Sequence, residues 1–229
     1  MDSEQPEQTN RIRAAVASRG ISGDPIYRAV LAQVAALHVG GPALDFGAGA
    51  GYLASKLYES GKFLHVDAAD LVDYGGVRQE GLNWVFSDLN EPLPCGRGTY
   101  GLITAVEVIE HLENPRFLAR EWFRLLKAGG TLIVSTPNNE SWRSLLSLWV
   151  RGHFAAFNDD SYPAHITALL RKDINRILTE AGFKEVTFAY TNHGGLPGRP
   201  AVTWQAVSFE LLRGLRYSDN IVCVARKPV

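Results

Sequence analysis

Ala43-Leu44-Asp45-Phe46-Gly47-Ala48-Gly49-Ala50-Gly51-Tyr52 is the stretch from which this chain can be read. A short apolar run ends at a carboxylate and an aromatic ring. Three glycines then alternate with alanines, and the helix-compatible segment 52–58 follows. That order predicts a buried parallel strand, a tight turn and a helix start. Glycine lets main chain approach a ligand where any Cβ would intrude. The unpaired amides of the helix's first turn point toward the same place. The loop is therefore expected to hold a nucleotide-like molecule. Gly49, Gly51 and Ala54 satisfy the pattern G-x-G-x-x-A, whereas Gly47 and Gly49 lead to Tyr52, which breaks the pattern. The loop alone leaves the kind of nucleotide open.

Working outward, Asp24-Pro25 gives an N-cap acid and a proline at the first helical position, and apolar residues repeat at helical spacing to His38. Residues 1–10 are polar and expected to be disordered, with a weak helix over 11–19. The segment before the first strand is placed to act as a lid. Strands are predicted at 42–46, 62–67, 82–88, 100–106 and 131–135, with helices at 52–60 and from Asn114-Pro115 to about residue 126. Strands alternating with helices across short connections mean a parallel sheet covered on both faces. Farther on, helices are predicted at 141–150, 172–181 and 201–212, and strands at 184–190 and 220–225. Residues 138–170 and 194–214 are read as a cap over one large domain spanning 1–229.

The composition is that of an ordinary globular chain: 229 residues, 46% apolar, 21% charged, formal net charge −1. Nucleic acid is not indicated, since phosphate binding shows as a basic surplus. Cys95 and Cys223 make neither a disulfide framework nor a metal cluster. With no leader pattern and no membrane-length apolar run, the chain is expected to be soluble and cytoplasmic.

Three predicted strands close on acids, Asp45, Asp67 and Asp88. In a doubly wound sheet such ends share one edge, beside the crevice where ligands bind. A cationic nucleoside carrying an amino acid fits that row. One acid takes the ribose hydroxyls, one takes the adenine amino group, and the first helps to hold the loop and an ammonium. S-adenosylmethionine answers that description, while a dinucleotide has no use for the third acid.

The chain resembles the class I S-adenosylmethionine-dependent methyltransferases, in the group that includes ubiquinone-biosynthesis and natural-product O-methyltransferases. The likeness rests on the glycine stretch, Asp67, Ser87-Asp88-Leu89, Val106-Glu107-Val108-Ile109-Glu110-His111-Leu112, Leu126-Lys127-Ala128-Gly129-Gly130 and Ser135-Thr136-Pro137-Asn138. It implies a Rossmann-like α/β fold: a doubly wound, mostly parallel seven-stranded sheet with an antiparallel last strand and a small helical and loop cap. It implies S-adenosyl-L-methionine as cofactor, held by Asp45, Gly47, Ala48, Gly49, Gly51, Asp67, Asp88, Leu89 and Glu107, with Asp70 as the alternative to Asp67.

Methyl transfer asks the protein mainly to align a nucleophile and exclude water. A hydroxyl acceptor also needs a base, for which His111 and His165 are the candidates. No metal is indicated, because no cluster shows ligand spacing along the chain. The signature of amino-group transfer to nucleic-acid bases is absent, since strand four runs into Val106-Glu107-Val108. The expected function is O-methylation of a small molecule; a protein or nucleic-acid methyltransferase, or a silent S-adenosylmethionine-binding protein, is the alternative. The partner is a small-molecule acceptor, with no nucleic acid and no membrane, and a homodimer is left open. Trp142, Trp149, Phe154, Phe157, Tyr162 and Trp204 could wall an apolar acceptor pocket or fill a core beneath the cap.

Overall fold

The computed structural model describes residues 11, 12, 15, 16 and 20–229. Residues 1–10 and most of the expected helix over 11–19 lie outside them; Arg11, Ile12, Ala15 and Val16 are helical. Helix α1 (Asp24–Ala36) leads to β1 (Ala43–Phe46), α2 (Tyr52–Glu59), β2 (Val66–Asp70), β3 (Leu82–Phe86), β4 (Tyr100–Val106), α3 (Pro115–Leu125) and β5 (Leu126–Pro137). Then come α4 (Trp142–Arg151), α5 (Arg171–Ala181), β6 (Lys184–Tyr190), the hairpin β7 (Gly195–Leu196) and β8 (Arg199–Thr203), α6 (Trp204–Val207) and β9 (Asn220–Arg226).

Seven strands form one sheet in the order β3-β2-β1-β4-β5-β9-β6. The pairs among β1 to β5 are parallel, and β9 runs antiparallel to both neighbours. This is the doubly wound, mostly parallel sheet that the alternation of elements predicts. The strand order reverses direction between β1 and β4, the switch point at which such sheets bind ligands.

The central strands β1, β2 and β4 are buried at every position, and successive residues join cores on opposite faces of the sheet, as the pleat requires. Leu44, Phe46, Ile103, Leu132 and Val134 belong to a cluster with Leu118 and Trp122 of α3 and Ile174 and Leu178 of α5. Ala43, Val66, Ala68, Leu102 and Ile133 belong to another, with Val30 and Val34 of α1 and Leu53 and Leu57 of α2. Each fully buried aliphatic side chain contributes roughly 1.5–3 kcal/mol. Helices thus cover both faces and hold the strand ends fixed.

Two expectations need correction. The second strand begins at Val66, not residue 62, and ends on Asp70, not Asp67. The expected loop and helix over 194–212 are a short hairpin followed by a single helical turn, Trp204–Val207.

Candidate functional site

Asp45, at the end of β1, is 2% exposed. Its Oδ1 accepts from Thr104 Oγ1, its register partner on β4, at 2.8 Å. Its Oδ2 is buried with no hydrogen-bond partner. Burial pushes this carboxyl up to about 7. Gly47 and Gly49 follow with φ of +80° and +54°, and both line a cleft of about 690 Å³ together with Asp45 and Ala48. Protein neighbours already need these residues to be glycine. A Cβ on Gly47 would lie 2.3 Å from Val108 Cγ2, and one on Gly49 2.0 Å from the Gly20 carbonyl oxygen.

Asp67 was expected in this cleft and is absent from its lining. Register sets it beside Leu44, deep in the sheet. Its carboxylate is engaged by the Tyr100 hydroxyl, by Asn83 Nδ2 at 3.0 Å and by His65 Nε2 at 2.9 Å. Asp70, three residues on, holds the strand-end place. Its Oδ2 accepts the Gly49 amide at 2.7 Å and its Oδ1 the Val72 amide at 3.1 Å, and it lines the cleft. Burial holds the Asp70 carboxyl above its ordinary range despite those amides. The row of carboxylates is therefore 45, 70 and 88. Gly51 also falls outside the cleft lining: it caps α2 in the left-handed region, with its Cβ position 2.7 Å from Trp84.

Asp88 and Leu89 line the cleft as expected of them. Asp88 Oδ1 accepts the Asn90 amide at 2.9 Å, and its Oδ2 pairs with Arg11 at 2.8 Å. Burial raises this carboxyl, but those partners outweigh it and leave Asp88 below its ordinary value. Arg11 also reaches Glu113 at 2.9 Å. Ala15 accepts from the Tyr74 hydroxyl at 2.7 Å and Gly20 from the Ala50 amide at 3.0 Å, so these three residues form a strap along the cleft lining.

Just past β4, Glu107 adopts φ +55°, an uncommon conformation for a residue with a side chain. Ser135 on β5 donates to its Oε1 at 2.8 Å, and Asn220 on β9 donates to its Oε2 at 2.8 Å. Burial lifts this carboxyl to about 7. Glu110, fully buried, accepts from Thr136 Oγ1 at 3.0 Å through Oε2, while its Oε1 has no partner. Burial and the Glu107 charge raise it further.

His111 and His165 meet with ring centroids 4.8 Å apart. Each places Nδ1 against a backbone carbonyl, Ala164 at 2.7 Å for His111 and Ala156 at 2.6 Å for His165. A carbonyl only accepts, so each Nδ1 carries the hydrogen and each Nε2 keeps its lone pair. Burial depresses both, His111 to about 4.

Glu110, His111 and His165 each offer one ligand atom, and these atoms lie within 4.8 Å of one another. Spacing along the chain gave no metal site, because His165 is distant in sequence and arrives through the loop after α4. Two imidazoles and a buried carboxylate form a donor set suited to a divalent transition-metal ion. The Glu107-x-x-Glu110-His111 spacing was the available signal for Glu110.

A family model described as a methyltransferase domain matches residues 23–187. The chain belongs to the class I S-adenosylmethionine-dependent methyltransferases. The ubiquinone biosynthesis O-methyltransferase of Escherichia fergusonii is 28% identical over 129 residues, 52% of this chain and 53% of that protein. The match thus spans about half the length of that relative. Among solved structures, a SAM-dependent methyltransferase from Archaeoglobus fulgidus superposes with TM-score 0.64 at 17% identity, covering 92% of this chain and 96% of that one. Phosphoethanolamine N-methyltransferase 2 of Haemonchus contortus, in complex with S-adenosyl-L-methionine, superposes with TM-score 0.61 at 13% identity, over 90% and 53% of the two chains.

The cofactor of this methyltransferase is S-adenosylmethionine, and the cleft suits it. An unpartnered carboxylate oxygen on Asp45 suits a cationic ligand, Asp70 is fixed at the strand end, and Leu89 offers an apolar surface. The chain also has a second cavity of about 290 Å³, which shares Glu107 and His165 with the cleft. The six aromatic residues that could wall a pocket or fill a core take different places. Trp149 is 84% exposed and Trp142 48% exposed, Trp204 packs on Tyr217, and Phe157 packs against His165. Of the six rings only Tyr162 lines the cleft, and none lines the second cavity. No helix among the described residues is long and apolar enough to cross a membrane.

Proposed function

We propose that this methyltransferase methylates a hydroxyl oxygen of a small molecule, with a divalent cation on Glu110, His111 and His165 making the hydroxyl acidic enough to react. One observation carries the reading: Glu110, His111 and His165 bring one ligand atom each to within 4.8 Å of one another, and His165 lines both the cofactor cleft and the second cavity. Bound S-adenosylmethionine supplies a methyl group already activated on a sulfonium. What remains for the chain is to position the acceptor, exclude water and remove a proton. A cation does the last by lowering the pKa of a coordinated hydroxyl. A buried His111, poorly basic, serves better as a neutral ligand than as the base. Oxygen as the acceptor atom is favoured by the O-methyltransferase named among the relatives, although the shared fold also carries nitrogen methylation.

Asp70 and Asp88 are assigned to the ribose hydroxyls and the adenine amino group, and the Gly47–Gly49 backbone with Asp45 to the methionine part. Calorimetry with Mn²⁺, in the presence of S-adenosylhomocysteine, tests the cation. One ion should bind per chain, and Glu110→Gln and His165→Ala should each weaken it at least tenfold. No binding of Mn²⁺, Zn²⁺ or Mg²⁺ would refute cation assistance and leave His165, the imidazole shared by both cavities, as the base.

A further inference from the structure

The second cavity says what kind of molecule the acceptor is. Its walls combine apolar surface from Pro137, Ala155 and Ala156 with amides, hydroxyls and one ion pair. Asn139 is 3% exposed; its Nδ2 donates to the Leu169 carbonyl at 3.0 Å, while its Oδ1 is buried without a partner. Ser141 and Ser144 accept amide hydrogens from Ser144 and Ala155 at 3.2 Å each, which leaves each hydroxyl hydrogen available to donate. Arg143 Nη1 meets Asp219 Oδ2 at 2.8 Å, with both side chains partly exposed at the cavity wall. Asn220 spends its amide nitrogen on Glu107 Oε2.

Each of these groups can reach a neutral hydroxyl as donor, acceptor or both. A wholly apolar ring entering here would strip water from amides, hydroxyls and a guanidinium at a penalty for each group, whereas a sugar ring can lay its C–H face on Pro137, Ala155 and Ala156 and its hydroxyls on the polar groups. An anionic acceptor is disfavoured too. Arg143 is already balanced by Asp219, and Glu107 brings a further carboxyl to the lining. The volume of about 290 Å³, at the lower end of ligand pockets, suits one ring-sized group.

We infer that the acceptor is a neutral polyhydroxylated ring of the sugar class, seated among Asn139, Ser141, Ser144 and the Arg143–Asp219 pair, with one hydroxyl presented between Glu107 and His165. This rests on the methyltransferase reading and names its substrate class. Vicinal hydroxyls fit the pair well, because a guanidinium donates and a carboxylate accepts side by side.

The test uses methyl glycosides of glucose, mannose, galactose and rhamnose as probes, against catechol and a long-chain alkylphenol. Saturation-transfer NMR detects binding in the presence of S-adenosylhomocysteine, and labelled cofactor detects turnover. Calorimetry of S-adenosylhomocysteine on the same samples checks the cofactor cleft independently, so a failed cofactor reading shows there and not in the glycoside arm. At least one glycoside should bind. Arg143→Met should raise its KM or dissociation constant about tenfold while leaving S-adenosylhomocysteine affinity within twofold. Asp219→Asn, which keeps an acceptor for the Gly195 amide, should do the same if Arg143→Met folds poorly. Intact cofactor binding with no glycoside signal overturns the inference. So does catechol or alkylphenol turnover that neither variant alters.

Discussion

Asp70 and Asp67 both belong to β2, and their substitution should separate two roles that look alike in sequence. Asp70 fixes the Gly49 amide at 2.7 Å and lines the cleft. If its remaining lone pairs take two ribose hydroxyls, Asp70→Ala removes two hydrogen bonds to a charged acceptor, each worth about 1.5–3 kcal/mol. Even the lower figure totals about 3 kcal/mol, a loss of roughly 100-fold in affinity. Asp67 instead satisfies the Tyr100 hydroxyl, on a residue 1% exposed, together with Asn83. Asp67→Ala leaves a buried hydroxyl unpaired, a penalty of about 1–3 kcal/mol in stability. For a chain of this size that is a fall of about 5 °C in melting temperature. Calorimetry with S-adenosylhomocysteine and thermal unfolding measure the two separately. Asp67→Ala should be less stable yet bind within threefold of wild type, and Asp70→Ala should lose binding. If folded Asp67→Ala loses affinity as severely as Asp70→Ala, the assignment is wrong.

Three further outcomes are expected. Burial holds Asp45 at about 7 against an ordinary 3.8, so its folded form keeps a proton that the unfolded chain has released. That contribution is present below the unfolded value and is lost as pH rises through about 7, so wild type should lose up to about 4 kcal/mol relative to Asp45→Asn between pH 4 and pH 8 in denaturant titrations; a difference that does not change with pH refutes this. Arg11→Ala removes the clasp on Asp88 and Glu113, and stopped-flow should show S-adenosylhomocysteine leaving about tenfold faster, whereas an unchanged rate would show the strap is no barrier. Gly49→Ala puts a Cβ against the Gly20 carbonyl at a φ of +54°, so limited proteolysis should cut near residue 20 faster than in wild type, and equal rates would count against the strap.

The sheet was legible because its signals are local. Each parallel strand is a short apolar run and each helix an amphipathic one, so their order and the glycine turn needed no long-range information. Asp67 shows where local reading fails. Residues 62–67 look like a strand closing on an acid, but Val66-Asp67-Ala68-Ala69-Asp70 has the same property, and only pairing of Leu44 with Asp67 sets the depth of each acid. His111 with His165, and Glu107 with Asn220, are contacts made across the fold, and no spacing along the chain announces them. The aromatic rings, open between pocket wall and core in the sequence, needed the fold as well: α4 sets Trp142 against the Arg216 guanidinium, 5.4 Å from its ring centroid, and leaves Trp149 exposed.

The formal charge of −1 hides how charge is arranged. Asp45, Asp70, Glu107 and Glu110 converge on the cleft and the ground behind it, and burial holds all four carboxyls above their ordinary range. Packing alone does not favour such a set, since each acid would be better solvated elsewhere. A cationic ligand in front and a metal ion behind would each return the desolvation energy by favouring the ionised forms. The two partnerless oxygens, Asp45 Oδ2 and Glu110 Oε1, belong to the two acids placed to meet those charges. The sheet fixes both through neighbouring strands, Thr104 on β4 for one and Thr136 on β5 for the other. The two acids are thus anchored from adjacent strands of one sheet, which fixes the spacing between the cofactor cleft and the Glu110-His111-His165 cluster.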